Sequence, residues 1–542
     1  MVTRKPAKKS KPAKPKVVPV SNHPAVEARK SSFKQEKLDK TVIAIPLLEM
    51  LEEGLGEPTK PYAVIIDLNL EYPAGVHGAR EWVMEKIKGI IRSHGHNKDI
   101  DHQGVNLFKS EHTEQYLFAH LEGDVIRQLV KMDKEVKKEF NKDGKRKYGP
   151  NAIYRVWPDF KVKALMDRSI STVKAEAAQA SFSASGDGIT WAVIDSGIDK
   201  GHPHFAMHNN LELRPPLVHT DFTRLNSKDP ENALKDGLGH GTHVAGIIAG
   251  EIKVSAEKPK KGARTKSVTE ISAFVRQRDE KGDVSYNKWT FDSLIGMAPK
   301  CKLLSLKVLD DEGAGDVSNI IAALSLIQKI NGYGRRILIQ GVNLSVGYEF
   351  DPVWFACGLS PLCVEVDRLV RSGVVVVVAA GNTGYGTLQS EFLGSVSATM
   401  DLTINDPGNA ELAITVGSTH KEMPHVYGVS YFSSKGPTGD GRIKPDLVAP
   451  GERIVSCAAG RQRQDMKENA GEDCLYLEQS GTSMAAPHVS GAIASFLSIK
   501  KEFIGRPDHV KEIFLSTATD LKRDRYFQGH GLVDLMRAIQ SV

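Results

Sequence analysis

The stretch SGTSMAAPHVSG, Ser480 to Gly491, offers two hydroxyls, Thr482 and Ser483, and one imidazole, His488. A serine hydroxyl is a weak nucleophile at neutral pH unless a base takes its proton, so the position of the base decides what this stretch can do. From Met484 the run MAAPHVSGAIASFL has the small and apolar residues of a buried helix, and Ser480, Gly481 and Thr482 supply a turn and cap before it. At about 100° per residue, His488 lies about 140° round that helix from Ser483 and a turn and a half away. A base for Ser483 must therefore come from elsewhere in the chain. Taken alone, the GTS triplet is better read as a simple helix cap.

Two other stretches change that balance. AVIDSGID places Asp195 directly after an apolar strand, and GHGTHVAG places His240 at the mouth of a helix. Each has a plain account as a turn residue or a cap. Their coincidence in one chain, in the order Asp, His, Ser, is the set needed to orient an imidazole, abstract a proton and attack a carbonyl. His240 and His243 could be misread as a zinc pair, but HGTH lacks the i, i+4 spacing and the glutamate of HExxH. GTSMA also fails the GxSxG pattern of a nucleophile elbow.

The elements that must position these residues alternate. ITWAVIDSG (189–197), KLLSLKVLD (302–310), RILIQGVNLSV (336–346), GVVVVVAAGN (373–382) and AELAITVGS (410–418) are Val- and Ile-rich runs, separated by helical stretches after 242, at 317–330 and at 363–373. Such alternation predicts an α/β fold with a largely parallel sheet, helices on both faces, and ligands at the carboxyl ends of the strands. Residues 251–292 break the rhythm with EKPKKGARTK and RQRDEKGD and read as a polar insertion rather than core. Upstream, residues 60–160 hold three strand-like runs (61–70, 114–123, 152–160) and two helices, one with Val83, Ile87, Ile90 and Ile91 on a face and one over 124–133. That order predicts a small α+β sandwich, with 134–149 as a charged, exposed loop.

At 542 residues the chain exceeds one ordinary core, and two or three units are expected. Its net charge of +6 is a property of the tail: residues 1–37 carry eleven Lys or Arg against two acidic residues, leaving the remainder at −3. The tail's Lys, Pro and Ala density predicts disorder. Nucleic acid or an acidic surface is its functional alternative, with a solvated flexible tail preferred. It has no apolar h-region, and no run elsewhere is long and apolar enough to span a bilayer, so no membrane partner is expected. Cys301, Cys357, Cys363, Cys457 and Cys474 are odd in number and lack CxxC spacing, which suits reduced structural thiols. A cytoplasmic location is the expectation, with leaderless export left open.

The stretches VIDSGIDKGHPHF, GHGTHVAGIIAG, GMAPKCKLLSLKVLDDEGAG, AAGN (379–382), FSSKGP, KPDLVAPG and GTSMAAPHVSGA together resemble the subtilisin-like serine peptidases, from about Ser169 to the C-terminus. The resemblance implies a three-layer fold in which Ser483 is the nucleophile, His240 the general base and Asp195 its orienting carboxylate. Asn382 would give the oxyanion a side-chain N–H beside the Ser483 backbone N–H. The substrate would lie as an extra strand between Gly313, Ala314 and Gly315 on one side and Ser345, Val346 and Gly347 on the other. Its primary pocket would be lined by Ala379, Ala380, Gly381 and the segment around Asn405. The competing readings are a catalytically silent binding protein of the same fold and the acid-acting Ser-Glu-Asp relatives, which place no His at the His240 position.

Two departures from the family pattern stand out. His204 occupies the position where many relatives carry an acidic calcium ligand, and the usual calcium loop after the His240 helix is replaced by residues 251–292. No cofactor is expected to be required, no metal ligands are assigned, and a calcium site of the usual kind is not evident. By position and pattern, residues 41–165 resemble the family's inhibitory propeptide, between a basic tail (1–40) and the catalytic domain (166–542). The expectation is a zymogen that cuts itself between Phe160 and Arg168, with polypeptides and its own N-terminal domain as partners.

Overall fold

The computed structural model describes residues 42–53, 58–94, 103–135, 151–159, 161–164, 171–224, 229–254, 270–278, 284–349, 357–390 and 394–542. Seven strands form the main sheet: β1 (Thr190–Asp195), β2 (Thr220–Asp221), β3 (Lys302–Lys307), β4 (Gly341–Leu344), β5 (Val375–Ala379), β6 (Ile414–Thr419) and β7 (Leu447–Pro450). Their spatial order is β7-β6-β5-β4-β1-β3-β2, and every pairing is parallel. The sequence expectation of a parallel sheet covered on both faces therefore holds. Along β1 successive side chains alternate faces. Trp191 and Val193 enter one core with α1 (His240–Ile248) and α4 (Thr482–Ile499), while Ala192 and Ile194 enter a second core with α2 (Val317–Ile330) and α3 (Pro361–Arg371). Both faces being buried is what makes these strands continuous apolar runs rather than alternating ones.

The N-terminal region is a four-stranded antiparallel sheet, ordered Gly104–Val105, Tyr116–Glu122, Pro61–Leu68, Ile153–Pro158. One face carries Val64, Ile66, Leu68, Leu117 and Leu121 against Val83, Ile87 and Ile90 of the helix Gly75–His94 and Leu129 of the helix Gly123–Glu135. The α+β sandwich read from the sequence is thus present. The opposite face, with Ile65, Tyr116, Phe118 and Trp157, packs into the same core as α2 and α3. This sheet is therefore buried on both sides, one of them by the catalytic-like unit. The expected loop over 134–149 lies outside the described residues beyond Glu135, which ends a helix.

One expectation is overturned. Residues 251–292 are not simply polar: Glu251–Lys253 pairs with Ser293–Ile295, and Ile271–Arg278 forms a hairpin with Val284–Phe291. The hairpin joins Tyr476–Gln479 to extend a second sheet. Ile252, Ile271 and Ala273 are buried in the main core. One charged run quoted from the sequence, RQRDEKGD, begins inside the strand Ile271–Arg278 and hid it.

Candidate active site

Asp195 ends β1, an interior strand, and His240 begins α1, so both lie at the carboxyl edge of the sheet. His240 Nδ1 is 2.6 Å from Asp195 Oδ1, and neither residue is exposed. The Ser196 backbone N–H donates to the same Oδ1 at 2.8 Å. Helix and strand can approach this closely only because Gly241 has no side chain: a Cβ there would lie 2.2 Å from the Gly197 carbonyl oxygen.

A second buried carboxylate, Asp236, organises the start of α1. Its Oδ1 accepts from the Gly239 N–H at 2.7 Å and the Ser196 hydroxyl at 2.9 Å. Its Oδ2 accepts from the Thr242 N–H at 2.8 Å and the Thr242 hydroxyl at 2.6 Å. Ser196 Oγ in turn accepts from the Gly241 N–H at 2.9 Å. These bonds satisfy first-turn N–H groups that a helix cannot satisfy itself. Burial pushes the Asp236 carboxyl above the ordinary range, opposed by these donors. Sequence reasoning missed this residue. The available signal was an acidic side chain four positions before His240.

Ser483 is the second residue of α4, at the positive end of its dipole. Its hydroxyl donates to the Ser345 carbonyl at 3.0 Å, and the Ser345 hydroxyl donates to the Ser483 carbonyl at 2.8 Å. Thr482 donates both its N–H (2.9 Å) and its hydroxyl (3.0 Å) to Asn382 Oδ1. A backbone N–H can only donate, so the atom it meets is the amide oxygen, which leaves Nδ2 as the donor end of the Asn382 side chain. Gly381, at φ +108°, makes the turn that carries Asn382, and its N–H donates to the Thr482 hydroxyl at 3.1 Å. His488 lies apart from this cluster, with Nδ1 2.7 Å from the Met484 carbonyl one turn back. His243 faces the Leu477 carbonyl at 3.3 Å, and burial lowers its pKa to about 3, so it stays neutral.

The two expected edges face each other across a strand of the chain's own N-terminal region. Lys161–Ala164 pairs antiparallel with Ala314–Asp316 and also with Val346–Gly347, as the middle strand of three. Gly313 lies outside this pairing and closes a turn at φ +82°. In the pocket segment, the Asn405 N–H donates to the Ala380 carbonyl at 3.0 Å, and the Asn405 side chain packs where a Cβ on Gly381 would sit, 2.7 Å from its Cγ.

The His204 position does not suit calcium, which takes six to eight oxygen ligands. Its Nδ1 meets the Tyr476 hydroxyl at 3.1 Å, its ring packs edge-on to Phe205 and Tyr476, and burial lowers its pKa to about 3. Among the described residues no three His, Cys, Asp or Glu side chains converge as a metal site.

Residues 186–531 match the model of the subtilase family, Peptidase_S8. The chain therefore belongs to the subtilase family of serine-type endopeptidases. It is 33% identical to pyrolysin of Pyrococcus furiosus over 329 residues, which is 56% of this chain and only 21% of pyrolysin's length. It is also 28% identical to serine protease AprX of Bacillus subtilis over 382 residues, covering 69% of this chain and 70% of that one. Subtilisin E of Bacillus subtilis is 29% identical over 371 residues, 68% of this chain and 70% of subtilisin E.

Proposed function

We propose that this chain is a self-processed peptidase zymogen in which Ser483, His240 and Asp195 form the catalytic triad. Ser483 Oγ attacks the scissile carbonyl as His240 takes its proton, giving a tetrahedral oxyanion held by Asn382 Nδ2 and the Ser483 N–H. Collapse expels the amine, which receives that proton from His240 and leaves an acyl-enzyme. Water, deprotonated by the same imidazole, then attacks the acyl carbonyl, and the C–Oγ bond breaks as the imidazolium returns that proton to Ser483 Oγ, releasing the acid. Asp195 orients the ring and stabilises it while charged. In the docked arrangement the Ser483 proton points to the Ser345 carbonyl, so attack begins with a turn of that hydroxyl toward His240. Lys161–Ala164 supports the zymogen reading: it occupies, by main-chain pairing, the path expected for substrate.

The register narrows the cut. Ala164, the last described residue of that strand, is opposite Val346, the neighbour of Ser345, whose carbonyl accepts from the Ser483 hydroxyl. We assign self-cleavage to the Leu165–Met166 bond, inside the interval expected from the sequence. Mass-spectrometric mapping of wild type beside Ser483→Ala tests this. A new N-terminus at Met166 in wild type alone supports it, and an intact wild-type chain or a cut that persists in Ser483→Ala removes it. Labelling of Ser483 by a fluorophosphonate separates a working triad from a silent binding protein, because only an activated serine reacts.

A further inference from the structure

Behind the pocket segment lies a buried carboxylate that neither the triad nor the strand pairing uses. Asp406 follows Asn405 and is 1% exposed. Its Oδ2 accepts from the Ser360 hydroxyl at 2.6 Å and the Tyr348 hydroxyl at 3.2 Å, and its Oδ1 accepts from the Asn409 amide at 2.8 Å. Among the described residues these neutral donors, with the Cys363 thiol beside them, are what meets its oxygens, and no Lys or Arg is among them.

The same residue joins the pocket's parts. Its backbone exchanges two hydrogen bonds with Tyr348, 3.0 Å each, directly after the Val346–Gly347 edge that pairs with Lys161–Ala164. Gly347 passes so close that a Cβ would lie 2.6 Å from the Asp406 carbonyl oxygen. Ser360, which Asp406 holds, caps α3 through the Cys363 N–H at 3.4 Å. Asn409, also held, donates to the Ile404 carbonyl at 2.9 Å. On the other side, Asn405 is bound to Ala380.

On the reading that residues 345–347, 379–381 and 405 surround the substrate side chain before the scissile bond, we propose that Asp406 is a specificity-determining positioning residue. It ties the floor of that pocket to the substrate-pairing edge, and its charge, unmatched by any cation among the described residues, sets the pocket against an acidic side chain. In a water-poor site two like charges about 10 Å apart at an effective dielectric near 20 repel enough to change a rate by about tenfold. A buried anion held only by neutral dipoles keeps that field, where a salt bridge would cancel it. The titratable groups facing it, Tyr348, Cys363 and Cys357, all have pKa values raised by burial, which favours their neutral forms beside it. Burial also raises the Asp406 carboxyl, so the measurement belongs in alkaline buffer.

The test compares kcat/KM for two peptides that differ only by Gln or Glu before the scissile bond, in wild type and Asp406→Asn. Wild type is expected to prefer Gln clearly. Asp406→Asn is expected to cut that Gln-to-Glu ratio about tenfold, read as kcat/KM on each peptide. A ratio unchanged by the substitution, or an equal loss on both peptides, overturns the proposal. Wild type itself gives a check that needs no variant: the same Gln-to-Glu exchange three residues before the scissile bond should cost little. Equal costs at the two positions, or none at the first, also overturn it. The Gln peptide tests the underlying reading separately, since failure of wild type to cleave either peptide overturns both.

Discussion

Asp159 accepts both hydrogen bonds that Ser318 can donate at the start of α2: the backbone N–H reaches Oδ1 at 2.8 Å and the hydroxyl reaches Oδ2. Asp159 lies two residues before the docked strand Lys161–Ala164, so one carboxylate fastens the N-terminal unit to a helix end of the catalytic unit. Lys109 completes the junction, donating to the Ser318 hydroxyl at 2.9 Å and lying 3.6 Å from Asp316.

Burial raises the Asp159 carboxyl from 3.8 to about 6, with Lys109 opposing and Asp316 adding to the shift. The docked state therefore binds a proton more tightly than the released one, and docking must weaken as pH rises between about 4 and 6. Below that window both states are protonated; above it both are charged, and the affinity levels off. Asp67, at the same interface through Gln115 and Arg368, is also raised to about 6 by burial and acts in the same direction. A shift of about two units corresponds to on the order of 100-fold in affinity for one group. Calorimetric titration of the N-terminal segment into the Ser483→Ala catalytic unit at pH 4.5 and 7.5 measures it. Asp159→Asn should flatten the profile, and an affinity that rises with pH would contradict this account.

Asp236→Ala should act on catalysis without touching substrate. It strips the shared acceptor from Gly239, Ser196 and Thr242 and leaves buried donors unpaired, at about 1–3 kcal/mol each before relaxation. The entry of α1, and with it the His240 ring, then loses its fixed relation to Asp195. The expected outcome is a fall of about 10- to 100-fold in kcat with KM within about threefold, together with a lower thermal midpoint. A lower midpoint with unchanged kcat would reduce Asp236 to a purely structural cap.

Three buried histidines predict acid sensitivity. Burial depresses His202 to about 4 and His204 and His243 to about 3, below the ordinary value of 6.5. The unfolded chain therefore binds more protons below pH 6.5, and stability falls as pH drops from there toward 4 and 3. Each histidine contributes about 1.4 kcal/mol per pH unit inside its window. The raised carboxyls of Asp67 and Asp159 offset part of this below pH 6. Thermal midpoints of Ser483→Ala from pH 7.5 to 4 should fall steadily, and a flat profile would count against neutral burial. Adding EGTA at pH 7.5 should leave the midpoint where it was, because His204 sits against Tyr476 rather than in an oxygen cage.

The legible parts of the molecule were those fixed by local pattern. Strands such as Val375–Ala379 are apolar throughout because both faces are covered, and α4 announces itself by its turn and its small residues. Lys161–Ala164 was invisible for the opposite reason: KVKA has no apolar period, and it is a strand only because two distant edges accept its backbone. The hairpin Tyr385–Ser390 with Gly394–Thr399 was likewise unread, since its residues are mostly small or polar. Asp236 escaped notice, and Asp406 was read only as part of the segment around Asn405, because a carboxylate's importance depends on donors gathered from several elements. Spacing along the chain records none of them.

Asn382→Asp isolates the proposed oxyanion donor from the fold. The Asn382 oxygen has a structural task, since it accepts from the Thr482 N–H and hydroxyl next to the proposed nucleophile. Truncation to Ala would destroy both that anchor and the side-chain N–H, and a lost rate could not be assigned to either. Aspartate keeps an oxygen for Thr482 and replaces only Nδ2, now an acceptor where a donor is needed. Removing one oxyanion donor typically costs about 10²–10³ in kcat, and the new negative charge adds to that. The expected result is therefore a kcat loss of at least about 100-fold with KM within a few-fold and a thermal midpoint close to wild type. Thr482→Val is the complementary change: it keeps the donor but removes one of the two bonds that aim it. It should give an intermediate loss, about 3- to 30-fold in kcat. If Asn382→Asp were instead to raise KM with kcat preserved, Asn382 would be a ground-state binding residue and the oxyanion would need another partner.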